Sequence, residues 1–189
     1  MNNSFVGFIN KRNALVLLVI AQIVFLLGIT FTHYATSWYG QEITLKTVPI
    51  DPRDMLYGDY AILQYEISTL PVSKWMDPPP SSQQAVPERG DVIYVVLTPN
   101  AEQNELYDAQ EFYSHKPSLQ DNEILLKAKV DDMWDDTSVR VIYGIEKYYI
   151  PENTGKELEE QARQGSYIAH VKVSSWSGPV LESLHLKEQ

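Results

Sequence analysis

Between Ala14 and Phe31 the chain reads ALVLLVIAQIVFLLGITF, a run without charge in which Gln22 and Thr30 are the only polar side chains. About 18 such residues suffice for a helix to cross the hydrocarbon core of a bilayer. A soluble core helix of this length would need a polar face, and this stretch is apolar all round. The expected element is a transmembrane helix over residues 14–34, preceded by a short cytoplasmic segment, 1–13, and followed by a juxtamembrane linker, 35–41. A cleaved signal peptide competes, because Lys11 and Arg12 make a basic flank and HYATS offers a small-residue site near Ala35. The apolar run exceeds the usual h-region of about 7 to 15 residues, which favours an uncleaved anchor.

Orientation follows from the flanks. Lys11 and Arg12 precede the run and no basic residue follows it before Lys46. Positive flanks stay on the cytoplasmic side, so residues 42–189 are expected to form an extracytoplasmic domain. Tyr34, Trp38 and Tyr39 stand where amphipathic rings favour the membrane interface. The net charge of -10 hides an asymmetry: no acid occurs before Glu42. Once Lys11 and Arg12 are set aside from the 15 basic residues, 25 acids face 13 bases, a net of -12. Such a surface repels nucleic acid, which is excluded as a partner. The absence of cysteine excludes disulfides, thiolate metal sites and a cysteine nucleophile.

From Glu42 onward the pattern is that of strands and turns. EITLKTVPI alternates with period two, as does YAILQYEI at residues 60–67, and DVIYVVLTP reads as a strand covered on both faces. LYDAQEFYS, EILLKAKV, SVRVIYGI, EKYYI, YIAHVKVS and VLESLHL follow, each bounded by turn residues. The Pro-rich stretch 73–90 reads as a surface loop. TGKELEEQARQG has a capping box in Thr154 and Glu157 and a C′ glycine in Gly165, which predicts one short surface helix. The expected fold is mainly β: one N-terminal transmembrane helix, then an antiparallel sandwich or partly open barrel.

The densest motif is DPRDMLYGDYAILQYEIS, Asp51 to Ser68. Pro52 fixes a turn in which Asp51 and Asp54 can accept backbone N–H groups, Arg53 lies among Asp51, Asp54 and Asp59, and Gly58 suits a backbone that a β-carbon would penalise. In a strand, Ala61, Leu63, Tyr65 and Ile67 share one face with Asp59, while Tyr60, Ile62, Gln64 and Glu66 share the other. Gly58 to Tyr65 matches G-D-Y-x-x-L-x-Y in full, and the chain resembles the GDYXXLXY family of bacterial membrane-anchored proteins, for which no biochemical activity is established. YGIEKYYIPENTGKELEE, Tyr143 to Glu160, resembles that family's C-terminal block. The resemblance implies a polytopic membrane protein as partner; separately, no cofactor is expected. The candidate residues are Asp51, Arg53, Asp54, Gly58, Asp59 and Tyr60 as a charged turn and strand start, Leu63 and Tyr65 as core, and then Glu146, Tyr148 and Glu152 from the second block.

Three kinds of chemistry compete. A binding or accessory module suits the many tyrosines, including Tyr143, Tyr148 and Tyr149. A hydrolase would need a nucleophile beside a base. ERGDVIYVV resembles a strand motif of signal peptidases, yet no Ser-x-Met segment follows the anchor to supply their serine, and no G-x-S-x-G elbow is present. A weak calcium site would draw on Asp131, Asp132, Asp135 and Asp136, although DDMWDD lacks the mid-loop Gly and closing Glu of an EF-hand and reads more simply as a solvated acidic loop.

Overall fold

The computed structural model describes residues 11–48, 60–77, 87–101, 105–135, 137–149, 167–176 and 178–186. The apolar run lies in one helix, α1 (Lys11–Tyr39), of 29 residues. Its side chains from Leu15 to Phe31 are exposed, and it is long and apolar enough to cross a membrane. At about 1.5 Å per residue it spans roughly 43 Å, more than the ~30 Å hydrocarbon core. Residues 35–39, expected as a linker, continue this helix.

The continuation has a cause. Thr36 is fully buried and its Oγ1 lies 2.9 Å from Ser174 Oγ, while Ser37 Oγ donates to Glu182 Oε1 at 2.7 Å. The Gly40 N–H donates to Thr36 O at 2.8 Å, and a β-carbon at Gly40 would meet that carbonyl at 2.3 Å. A residue with a side chain fits there only if the backbone shifts. Helix and domain are therefore joined by direct contact through a single glycine.

The domain follows in ten strands among the described residues: β1 (Gln41–Lys46), β2 (Tyr60–Ile62), β3 (Thr69–Pro71), β4 (Val92–Pro99), β5 (Tyr107–Tyr113), β6 (Ile124–Asp135), β7 (Ser138–Ile142), β8 (Lys147–Tyr149), β9 (Tyr167–Val173) and β10 (Val180–Leu186). They form sheets ordered β1-β9-β10, β2-β8 and β3-β7-β6-β4-β5, with antiparallel pairing throughout. The five-stranded sheet nearly closes on itself. Its first edge, β3, runs on to Trp75, which bridges Phe112 on β5, the opposite edge. Trp75 and Phe112 stack with centroids 5.1 Å apart, and the Lys74 ammonium donates to Ala109 O. The result is a mostly β, barrel-like fold.

Inward positions fill one core: Ile43 and Leu45 of β1, Val95 and Leu97 of β4, Phe112 of β5, Leu126 and Val130 of β6, Val139 and Val141 of β7, Ala169 and Val171 of β9. This is the period-two logic of half-buried strands. Three readings need correction. β4 has both faces covered only over Val95–Leu97; Val92 is exposed and Tyr94 half-buried. The acidic run from Asp131 is not a solvated loop, since Asp131, Asp132 and Asp135 lie in β6, which stays paired with β7 through two register shifts. YAILQYEI is not one strand: only Tyr60–Ile62 pairs as β2, and the chain tightens into a 3-10 turn at Glu66–Ser68. Asp136, the predicted helix at 154–165 and much of the Pro-rich stretch lie outside the described residues.

Candidate functional site

The two sequence blocks meet. β2 pairs antiparallel with β8, Tyr60 opposite Tyr149, Ala61 opposite Tyr148 and Ile62 opposite Lys147. Burial follows the alternation across the motif even where the strand ends: Ala61, Leu63, Tyr65 and Ile67 are buried, Ile62 and Glu66 exposed, Tyr60 and Gln64 intermediate. Leu63 N donates to Glu146 O at 2.7 Å, which extends the pairing one step past β2.

Two phenols lock this junction. Tyr65 Oη donates to Ile145 O at 2.7 Å, and Tyr143 Oη donates to Ile67 O at 2.7 Å. Each block thus sends one tyrosine to cap a carbonyl of the other. Burial, and then the nearby charge of Glu146, push both phenols well above the ordinary tyrosine range, so both stay protonated as donors. Tyr65 is tied further on its other side: it bridges Thr47, and its N–H reaches Ser68 Oγ at 3.2 Å. Thr47 in turn exchanges hydrogen bonds with the Tyr167 backbone at 2.9 Å, anchoring the motif to β9.

Glu146 closes its own turn. Its carboxylate accepts the N–H of Tyr143 at 2.5 Å and of Gly144 at 2.9 Å. Gly144 adopts φ +87°, a left-handed conformation that favours glycine. Within the motif, then, Leu63, Tyr65 and Glu146 are framework. Tyr148 is half-buried against the core.

What faces outward is a small cationic and aromatic platform. The Tyr60 and Tyr149 rings lie 6.1 Å apart and tilted by 60°, with Lys147 Nζ 5.2 Å from the Tyr60 centroid, and Tyr149 is 75% exposed. Such ring pairs and ammonium–ring contacts are mildly attractive and hold the side chains in place. Of the three tyrosines noted in the sequence, Tyr143 is core, Tyr148 is partly covered and Tyr149 is the one presented to solvent. Lys147 was missed; its signal was alternation with Tyr148 once the strand was assigned. Asp51, Arg53, Asp54, Gly58, Asp59 and Glu152 lie outside the described residues.

A second polar set occupies the outer face of β1-β9-β10. Glu42 pairs with Lys172 at 2.9 Å and with His170 Nδ1 at 3.2 Å, and these partners, Lys172 first, lower its carboxyl pKa. His185 stacks edge-on against His170 at 5.1 Å and its Nε2 lies 3.0 Å from Ser183 Oγ. The serine and the carboxylate thus contact different imidazoles, unlike the nucleophile–base–orienter chain of a serine hydrolase. Asp131 is half-buried and Asp132 exposed, with Asp132 Oδ1 accepting the Met133 N–H. Among the described residues no three His, Cys, Asp or Glu side chains converge as a metal set.

An apolar helix of membrane-spanning length, fixed to a barrel-like β domain in which two distant blocks form one locked ribbon, defines the class of protein. The chain belongs to the GDYXXLXY protein family, whose family model matches residues 22–184 and so takes in both blocks. No curated protein and no solved structure matches it.

Proposed function

We propose that the chain is a membrane-anchored accessory module, N-terminus cytoplasmic and β domain extracytoplasmic, that binds a polytopic membrane protein through the outer face of the β2–β8 ribbon. The carrying observation is Tyr149, 75% exposed beside Tyr60 and Lys147 on a backbone held by two buried phenols. Rigid exposed aromatics are the residues that dominate protein interfaces, because they bury much area while losing little conformational freedom. The uniformly apolar α1 is consistent with a lipid environment, and the Lys11–Arg12 flank supports the orientation.

Pull-down of the full chain from mild detergent is expected to recover one polytopic protein. Tyr149→Ala should weaken that complex about 30-fold, in the range of an interface tyrosine, while changing unfolding free energy by less than about 0.5 kcal/mol, as for an ordinary surface site. Recovery of no such protein, or equal recovery by the variant, would overturn the proposal. Because the chain has no cysteine, a single cysteine placed at exposed Gln110 reports topology alone. A membrane-impermeant maleimide should label it in intact cells, and labelling only after lysis would reverse the orientation.

A further inference from the structure

The domain holds a cavity of about 500 Å³ at the foot of α1. Its wall includes Gln41, Val173 and Ser174, and Ser174 is the residue that meets Thr36 of the helix. Thr36 lies five residues beyond Phe31, where the apolar run gives way to Thr32 and His33, which is about 7 Å along a helix. The headgroup layer on each side of the hydrocarbon core is about 5 to 7 Å thick. With α1 in a bilayer, the cavity wall at Ser174 lies at headgroup depth.

Its lining suits that depth. Lys116 and Lys127 contribute the cations and Glu123 the one acid, in a domain where acids outnumber bases 25 to 13. Glu123 Oε2 is engaged by the Gln120 N–H at 2.7 Å, closing its own turn. Leu119 and Trp176, also in the lining, remain 43% and 56% exposed, an apolar rim where amphipathic rings favour the interface. Trp38 and Tyr39, exposed at the end of α1, stand close by in the chain. The volume falls within the range of small-molecule sites.

We propose that this cavity binds the phosphate headgroup of an anionic phospholipid, with Lys116 and Lys127 at the phosphate and Leu119 and Trp176 against the glycerol and first acyl carbons. The partner proposed above plays no part in it. It rests on α1 as a membrane anchor, so the test reads incorporation and lipid capture separately.

The full chain is reconstituted into nanodiscs of phosphatidylcholine with and without phosphatidylglycerol, then released into mild detergent for native mass spectrometry. Phosphatidylglycerol should stay bound in preference to phosphatidylcholine, and a photoreactive phosphatidylglycerol should cross-link to peptides containing residues 116–119 or 173–176. The double variant Lys116→Gln, Lys127→Gln should bind about 30-fold more weakly, at roughly five- to sixfold per lysine near an anionic surface, and Lys129→Gln, outside the cavity, should match the wild type. Equal retention of the two lipids, cross-links elsewhere, or an unaffected double variant overturns the proposal. So does displacement by inorganic phosphate at equal concentration, which would identify a free anion as the occupant. The cross-link map uses the wild-type chain, so a variant that fails to fold leaves the test intact. Discs that form without the chain would sink anchor and cavity together, whereas incorporation without lipid capture sinks only the cavity.

Discussion

Tyr65→Ala is expected to lower the unfolding free energy of the full chain in mild detergent by about 4 kcal/mol, and Tyr65→Phe by about 1 to 2 kcal/mol. The first figure follows from removing an aromatic ring from a fully buried position, where the surroundings relax only in part around the cavity. The second isolates the phenol. Phenylalanine keeps the ring but withdraws the donor from Ile145 O, and an unpaired buried carbonyl costs more than the hydrogen bond itself contributes. The measurement is urea unfolding followed by tryptophan fluorescence, with Tyr149→Ala as the surface reference. A Phe variant as stable as the wild type would mean the phenol does not hold the two blocks together. A Phe variant as unstable as Ala would mean that packing of the ring is not the larger contribution.

This pair also separates framework from function in the motif. The residues that repeat the G-D-Y-x-x-L-x-Y spacing divide by face: Leu63 and Tyr65 point into the core and Tyr60 points to the platform. Loss of Tyr65 should cost stability, and any loss of binding would follow from that. Loss of Tyr149 should cost binding alone.

Much of the fold was legible because period-two alternation reports burial directly. β1, β4, β5, β6, β7, β9 and β10 each coincide with an alternating or β-branched stretch bounded by turn residues. The alternation from Tyr60 to Ile67 predicted faces correctly and length wrongly. Burial continues to alternate through the bridge at Tyr65, but hydrogen bonding passes from Tyr149, Tyr148 and Lys147 to Glu146 O, Thr47 and Ser68 in turn. Sequence periodicity sees side chains and not the identity of the backbone partner. The acidic run of β6 misled for the opposite reason: its charges resemble a loop, while bulges let a strand carry them. The pairing of the two blocks, the helix contact at Ser174 and the cavity join residues scattered between Thr36 and Pro179. No local pattern encodes such contacts.

Raising the pH should dismantle the same junction. Tyr65 and Tyr143 have folded-state pKa values raised by burial and by Glu146, whereas in the unfolded chain both titrate near the ordinary value of 10.0. The folded state therefore binds protons more tightly. Their contribution to stability is fully present below about pH 10 and is lost as pH rises above it, because the unfolded chain sheds two protons that the folded one keeps. Linkage sets the slope at about 1.4 kcal/mol per pH unit for each tyrosine, so roughly 2.7 kcal/mol per unit for the pair. Urea midpoints between pH 9 and 12 should fall accordingly, and Tyr143→Phe should take about 1.4 kcal/mol per unit off the slope, to which the raised Tyr113 and Tyr167 also contribute, while lowering stability at neutral pH. An unchanged slope in that variant would place the alkaline transition elsewhere, with Tyr113, pushed up to about 12 chiefly by its hydrogen bond to Glu111, and Tyr167, raised by burial, as the groups to test next. A slope reduced by that increment would tie the alkaline limit of the domain to the two hydroxyls that join its family motif to the second block.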